Sequence, residues 1–251
     1  MILWTHEHAV TLLPAVVIMI IVAALLQRYL CTKPRHIRVI PMRIVAVLLV
    51  LLEIGKQVLS LIRGYDLYHI PLHFCSLFIF MIPVAAFYTG RHREKIMGIT
   101  GALCYAVVIL MLIYPNLIYS DTDIQTYTRN YFAFHTVTFH NLVLFAAILF
   151  VALDLHAPSS GERKVLAAYI TIYCIIAAIA AQLLQTNFNN FYSCNVPPLE
   201  DVRIAMQGVL GYWPTQIIYV LIVLVLDIAF TQLAYSVYHG LHTLISKRKV
   251  A

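Results

Sequence analysis

The stretch His69-Ile-Pro-Leu-His-Phe-Cys-Ser-Leu-Phe-Ile-Phe-Met-Ile-Pro83 sets two imidazoles and a thiol, His69, His73 and Cys75, at the head of an otherwise apolar run. Six further apolar runs flank it, so that the chain reads as Ala9–Gln27, Met42–Ile62, Ile70–Tyr88, Ile96–Tyr114, Tyr131–Leu153, Val165–Leu184 and Thr215–Tyr238. Each is about the ~20 residues that a helix needs to cross a hydrocarbon core of about 30 Å. Over the 251 residues, 62% are apolar and 11% charged, against roughly 25% charged in a soluble domain. Backbone polar groups in lipid must be bonded within their own segment, so the runs are expected to be helices. The expectation is an all-α polytopic membrane protein, one domain over residues 1–251, with seven transmembrane helices. The first run lacks a basic head and a small-residue cleavage site, and is read as a retained helix.

A net charge of +6 invites a nucleic-acid reading, but the distribution of the charges argues against it. Arg28, Lys33, Arg35, Arg38 and Arg43 follow the first run, and Arg91, Arg93 and Lys95 follow the third. Arg163 and Lys164 precede the sixth run, and Lys247, Arg248 and Lys249 end the chain. The alternate loops carry only Arg63, Arg129 and Arg203. Thirteen basic residues against three is a positive-inside bias, placing the N-terminus outside and the C-terminus in the cytoplasm of a cell-membrane protein. The basic loops are then partners of anionic headgroups. The five cysteines show no CxxC spacing, so neither a disulfide framework nor a four-thiolate zinc site is implied.

Polar residues inside apolar runs are costly and by default functional. The second run carries Glu53 and Lys56, whose i, i+3 spacing allows an ion pair. Such a pair either fixes helix packing or lets Glu53 orient a catalytic imidazole or a headgroup. Read as a helix from the outer side, the third run places Cys75 roughly 8 Å down, with Pro71 in its first turn and His69 and His73 on one face. The fifth run, read the same way, places His140 about 13 Å down, beside His135 and Asn141. The Asn-rich segment from Asn187 to Pro198 follows the sixth run and reads as a surface turn cluster with donors such as Asn187 and Asn190. The first run is nearly featureless and the loop Pro115–Asn130 an interfacial cap. Cys104 and Tyr105 read as packing residues, while Asp227 is placed in the inner half without an assigned partner.

Four runs thus converge on one polar cavity in the outer half, while the inner half shows no comparable cluster. A thiol becomes a nucleophile when a base such as an imidazole takes its proton. Cys75 with His140 would form a thioester-competent pair, with Asn141 or Asn187 donating to the developing oxyanion. His69 and His73, completed by His135 or His140, would alternatively suit a metal site.

The segments Pro-Leu-His-Phe-Cys-Ser (71–76), Phe139-His140-Asn-Leu-Val-Leu, Thr-Asn187-Phe followed by Pro-Pro, and Trp213-Pro214 occur in an order that resembles the YwaF-type integral membrane acyltransferases. That group is related to an animal transacylase acting on ether phospholipids. The resemblance spans about residues 40–220. It implies a cofactor-free Cys/His acyl-transfer site with Cys75 and His140 as the catalytic pair and Asn187 as the sixth-helix asparagine. His73, Glu53, His135 and Asn141 are expected to support the site or bind substrate, and phospholipids or lyso-lipids are the expected partners. Two departures stand out: Asn141 follows His140 where glycine is expected, and Phe188 follows Asn187 where tyrosine is expected. A zinc-dependent lipid hydrolase and a lipid transporter or receptor are the rival readings; helices broken in matched halves, the usual sign of transport, are absent from the sequence.

Overall fold

The computed structural model describes residues 4–248, and among these it is helical without a strand. Ten helices follow one another: α1 (His6–Leu30), α2 (Arg35–Arg38), α3 (Ile40–Ile62), α4 (Leu77–Phe87), α5 (Arg93–Ile113), α6 (Asp121–Thr126), α7 (Tyr131–Ala152), α8 (Glu162–Leu184), α9 (Pro197–Leu210) and α10 (Tyr212–Arg248). Every apolar run contains helix. Five of the helices, α1, α5, α7, α8 and α10, are long and apolar enough to cross a membrane, which makes this a multi-pass integral membrane protein. Lys249 lies outside the described residues.

Local signals set the helix ends. Thr5 caps α1 by accepting from the His8 amide, and Asn130 caps α7 at the Phe132 amide. Ser120 and Asp123 form a reciprocal capping box on α6. At the other end of α7 the free carbonyls of Leu153 and Leu155 accept from Arg38 and Arg35 at 2.9 and 2.6 Å, as cations near a helix C-terminus do.

α5 and α7 form the centre. α5 packs against α4, α7, α8 and α10, whereas α7 packs against α1, α3, α5 and α6. A small residue makes room for a neighbouring side chain: a Cβ on Gly101 would sit 2.7 Å from the ring of Tyr238. Close packing at small residues is a usual basis of helix association in lipid, where burial from water supplies no driving force. The outer faces of α1 and α10 expose Val17, Ile21, Leu221 and Val225, as lipid-facing surfaces do.

The third apolar run departs from the expected continuous helix. It begins as two 3-10 turns, Leu67–His69 and Phe74–Ser76, joined by extended backbone, and α4 starts only at Leu77. Pro71 explains the entry, because the residue before a proline is pushed out of the helical region; Ile70 is extended at ψ 131°. His73 is extended as well, at ψ 154°. The 11 residues of α4 cover about 17 Å, short of a full crossing. The irregular segment before α4 has its backbone bonded by side chains: Gln57 donates to the His69 carbonyl at 2.7 Å and Tyr173 to the Leu72 carbonyl at 2.8 Å. Non-helical backbone at membrane depth is tolerated when protein buries it in this way.

The Asn-rich segment is also more than a surface turn. Its 3-10 turn Phe188–Asn190 packs against α8, and Phe188 and Phe191 are fully buried. Gln182 and Gln216 both donate to the Phe191 carbonyl, at 2.9 and 2.7 Å, and Tyr219 donates to that of Asn190 at 2.6 Å. The segment is a plug seated between α8 and α10. Asp227 accepts from Asn189 at 2.7 Å and from the Cys174 thiol at 3.4 Å, so its partner is this plug.

Candidate active site

Glu53 organises the polar interior. Its Oε1 lies 2.8 Å from Lys56 Nζ and accepts from Gln57 Nε2 at 2.6 Å. These i, i+3 and i, i+4 neighbours share one face of α3. Its Oε2 lies 3.1 Å from His135 Nε2 on α7. The ion pair expected within α3 therefore forms, and the same carboxylate also holds an imidazole of the fifth run. A buried carboxylate is tolerable only with its lone pairs satisfied in this manner.

Gln57 extends the network by accepting from Tyr65 Oη at 2.7 Å while donating to the His69 carbonyl. His69 Nδ1 meets Ser60 Oγ at 2.7 Å, and its ring stacks on Phe132 with centroids 4.7 Å apart. His73 lies elsewhere: its Nε2 donates to the Tyr68 carbonyl at 3.0 Å, and its ring packs on Tyr68 and edge-on to Phe188 of the plug. The two histidines do not share a helix face, because no helix joins them. Among the described residues no group of three His, Cys, Asp or Glu side chains is placed to hold a metal ion.

Cys75 is half-buried in the 3-10 turn above α4. The expected depth from an α-helical rise does not apply to it. His140 is buried on α7, where its Nδ1 donates to the Thr136 carbonyl at 2.7 Å. A carbonyl can only accept, so Nδ1 carries the proton and the neutral ring presents the lone pair of Nε2, the form a general base requires. Among the described residues no hydrogen bond joins Cys75 to His140.

Asn141 retains a buried Oδ1 without a hydrogen-bond partner. Asn187 is spent within the plug: its Oδ1 accepts from the amides of Tyr192 and Ser193 at 3.2 and 3.1 Å, and its Nδ2 donates to Asn195 at 3.1 Å. Cys104 and Tyr105 are buried packing residues, as expected.

α1 proves more than an anchor. His8, fully buried, meets the Tyr119 carbonyl at 2.9 Å, while its other nitrogen faces Thr5 at 2.6 Å and Asp121 at 3.2 Å. Tyr119 in turn lies with its ring centroid 6.3 Å from that of His140, and its buried hydroxyl has no partner. Neither residue was signalled by spacing, since 111 residues separate them.

The basic end of the bundle holds a second polar cluster around the buried pair His156–Glu162, contrary to the expectation that all such groups gather in the other half. His156 is bonded to Glu94 at 2.9 Å and to Glu162 at 2.8 Å. Arg35 pairs with Glu94, and Tyr235 donates to Glu162 at 2.9 Å. These residues come from separate loops and helix ends, which is why no local pattern revealed them.

Residues 3–232 match the TMEM164 family. The chain belongs to that family. Neither a curated protein nor a solved structure shows a significant match. The matched residues cover every element from α1 to α9 and the first part of α10, so both polar clusters, Tyr235 apart, lie within the part shared with the family.

Proposed function

We propose that this TMEM164-family chain is a seven-span membrane acyltransferase, with its N-terminus outside, its C-terminus in the cytoplasm and its site facing the outer leaflet. α3 and the irregular segment leading into α4 are the two crossings added to the five long apolar helices. The observation that carries the reading is geometric: Glu53, paired with Lys56, holds His135 on α7, the helix that bears His140, and Gln57, bonded to the same carboxylate, holds the His69 carbonyl of the segment that leads to Cys75. The resemblance of the motifs around Cys75, His140 and Asn187 to the YwaF-type acyltransferases supports it.

In the proposed reaction His140 Nε2 takes the Cys75 proton and the thiolate adds to the ester carbonyl of a phospholipid. The carbon–oxygen bond of the tetrahedral adduct breaks, the lyso-lipid alkoxide leaves with the proton held by His140, and the acyl chain remains as a thioester. A hydroxyl of a second lipid then gives its proton to His140, attacks the thioester and releases the Cys75 thiolate, which recovers that proton. Catalytic hydrogen bonds often shorten only once substrate is bound, so a direct Cys75–His140 bond is not required beforehand.

The test is an intact mass of the protein purified in lipid, before and after neutral hydroxylamine. A hydroxylamine-labile increase of one acyl chain, absent from Cys75→Ala, is the expected result. Full transfer activity in Cys75→Ala would overturn the nucleophile assignment.

A further inference from the structure

α9 carries its polarity the wrong way round for a helix packed on a soluble core. At about 100° per residue, Leu199, Val202, Met206, Val209 and Leu210 fall within an arc of about 100°. Four of these are exposed, Val209 to 84%, and Met206 is half-buried. Glu200, Arg203 and Gln207 are half-buried on the side towards the protein, whereas Asp201 and Ile204 are exposed on the far flank. Arg203 grips Glu200 through two bonds of 2.8 and 2.6 Å, reaches Gln216 at 3.2 Å and lies over the ring of Tyr219. Glu200 also accepts from the Cys194 amide at 2.8 Å. An exposed apolar stripe with the polar face bonded inward needs an apolar medium outside.

Position identifies that medium. Gly211, at φ +80°, is the single-residue joint between α9 and α10. Beyond it the exposed Trp213, Ile217 and Leu221 continue the apolar surface of α9 onto the lipid-facing side of a membrane-crossing helix. Trp at the first turn of such a helix marks the membrane interface. The helix has the one-sided character of interfacial helices, which lie about 5–10 Å into the headgroup–acyl boundary.

We infer that α9 is an in-plane membrane helix whose Leu199–Val202–Met206–Val209–Leu210 stripe is embedded among the lipids of the leaflet at the Cys75 end. Its polar face holds the plug there. Glu200 bonds Cys194 at the plug's end, and Gln216, which Arg203 contacts, bonds the Phe191 carbonyl within it. Phe188 of the same plug supports His73. The leaflet thereby anchors one wall of the candidate site. This assignment stands apart from the acyl-transfer chemistry.

The experiment places a tryptophan at Val202 or Val209 in a Trp4→Phe/Trp213→Phe background, with Asp201→Trp on the opposite side as the comparison. The proteins are reconstituted in phosphatidylcholine vesicles brominated either near the glycerol or near the chain end. The stripe tryptophans are expected to emit to the blue and to be quenched about twofold more by the shallow bromines, consistent with the depth of interfacial helices; the Asp201 variant is quenched less. Water-like emission without quenching would overturn the inference. So would blue emission without quenching, which means that protein covers the stripe. Should the double-Phe background fail to fold, a photoreactive benzoylphenylalanine in place of Val209 in the unaltered chain gives the same decision by intact mass. A one-lipid adduct supports the inference; a crosslinked protein pair, or no adduct, overturns it.

Discussion

At the scale of single residues, Glu53 is a node of the polar interior. Three side chains, from Lys56, Gln57 and His135, converge on its two oxygens. Glu53→Gln leaves the mostly buried Lys56 ammonium without a counter-charge, and removing one member of a buried pair costs about 3–5 kcal/mol. The expected result is a loss of that size in unfolding free energy, most of it recovered in Glu53→Gln/Lys56→Met, where both charges are gone. A double variant no more stable than the single one would show that Lys56 gains nothing from Glu53. Tyr119 makes the opposite prediction. Its buried hydroxyl is unpaired, so Tyr119→Phe removes a desolvated polar group and should leave thermal stability unchanged or raise it, by about 1 kcal/mol. The Glu53–Lys56 pair was legible from its spacing on one helix. That His135 shares the carboxylate was not, because 82 residues separate them and no periodicity links two helices.

At the scale of elements, length and hydropathy located all seven apolar runs but not the conformation of the most informative one. Pro71 was legible as a boundary residue. The sequence reading put it inside the first turn of a helix, whereas its effect on Ile70 and the extended His73 delayed the helix to Leu77. The plug escaped notice for a related reason: Asn and Pro mark turns without saying whether a turn lies on the surface or is buried by glutamine and tyrosine donors from neighbouring helices. Glycine is the element-scale signal that composition hides. A Cβ on Gly98 of α5 would lie 2.0 Å from Glu162 Oε2 and 2.9 Å from His156 Nε2. Those atoms are pinned by mutual hydrogen bonds, with Ser159 and Tyr235 also holding Glu162, and cannot swing aside freely. Gly98→Ala is therefore expected to cost about 1–3 kcal/mol, the usual range for overpacking. Thermal unfolding in a fixed detergent checks it, and Gly208→Ala inside α9, where nothing lies within 4 Å, serves as the comparison that shows the helix-propensity gain alone, about 1 kcal/mol.

At the scale of the whole molecule, His156 ties the two ends of the chain's middle to its last helix. It joins Glu94 at the start of α5 to Glu162 at the start of α8, with Arg35 behind the first carboxylate and Tyr235 of α10 behind the second. Tyr238 of α10 donates to the His156 carbonyl at 3.1 Å. Both ring nitrogens face carboxylates, which only the imidazolium can serve with two donors. Burial alone disfavours that cation, but the bonds and charges of Glu162 and Glu94 outweigh it and raise the pKa of His156 above the ordinary histidine value. A pKa raised in the folded state favours the folded protein while the group is protonated. The contribution is thus complete below the unfolded value, about 6.5, and fades as pH rises through the higher folded value. Unfolding measured from acid to mildly alkaline pH is expected to show stability falling over that window in the unaltered chain. His156→Gln should be less stable at the acid end, by about 3 kcal/mol for a broken buried pair, and should lose this component of the slope. A variant that keeps the full slope would assign the pH dependence to other groups and leave His156 a fixed strut between α5, α8 and α10.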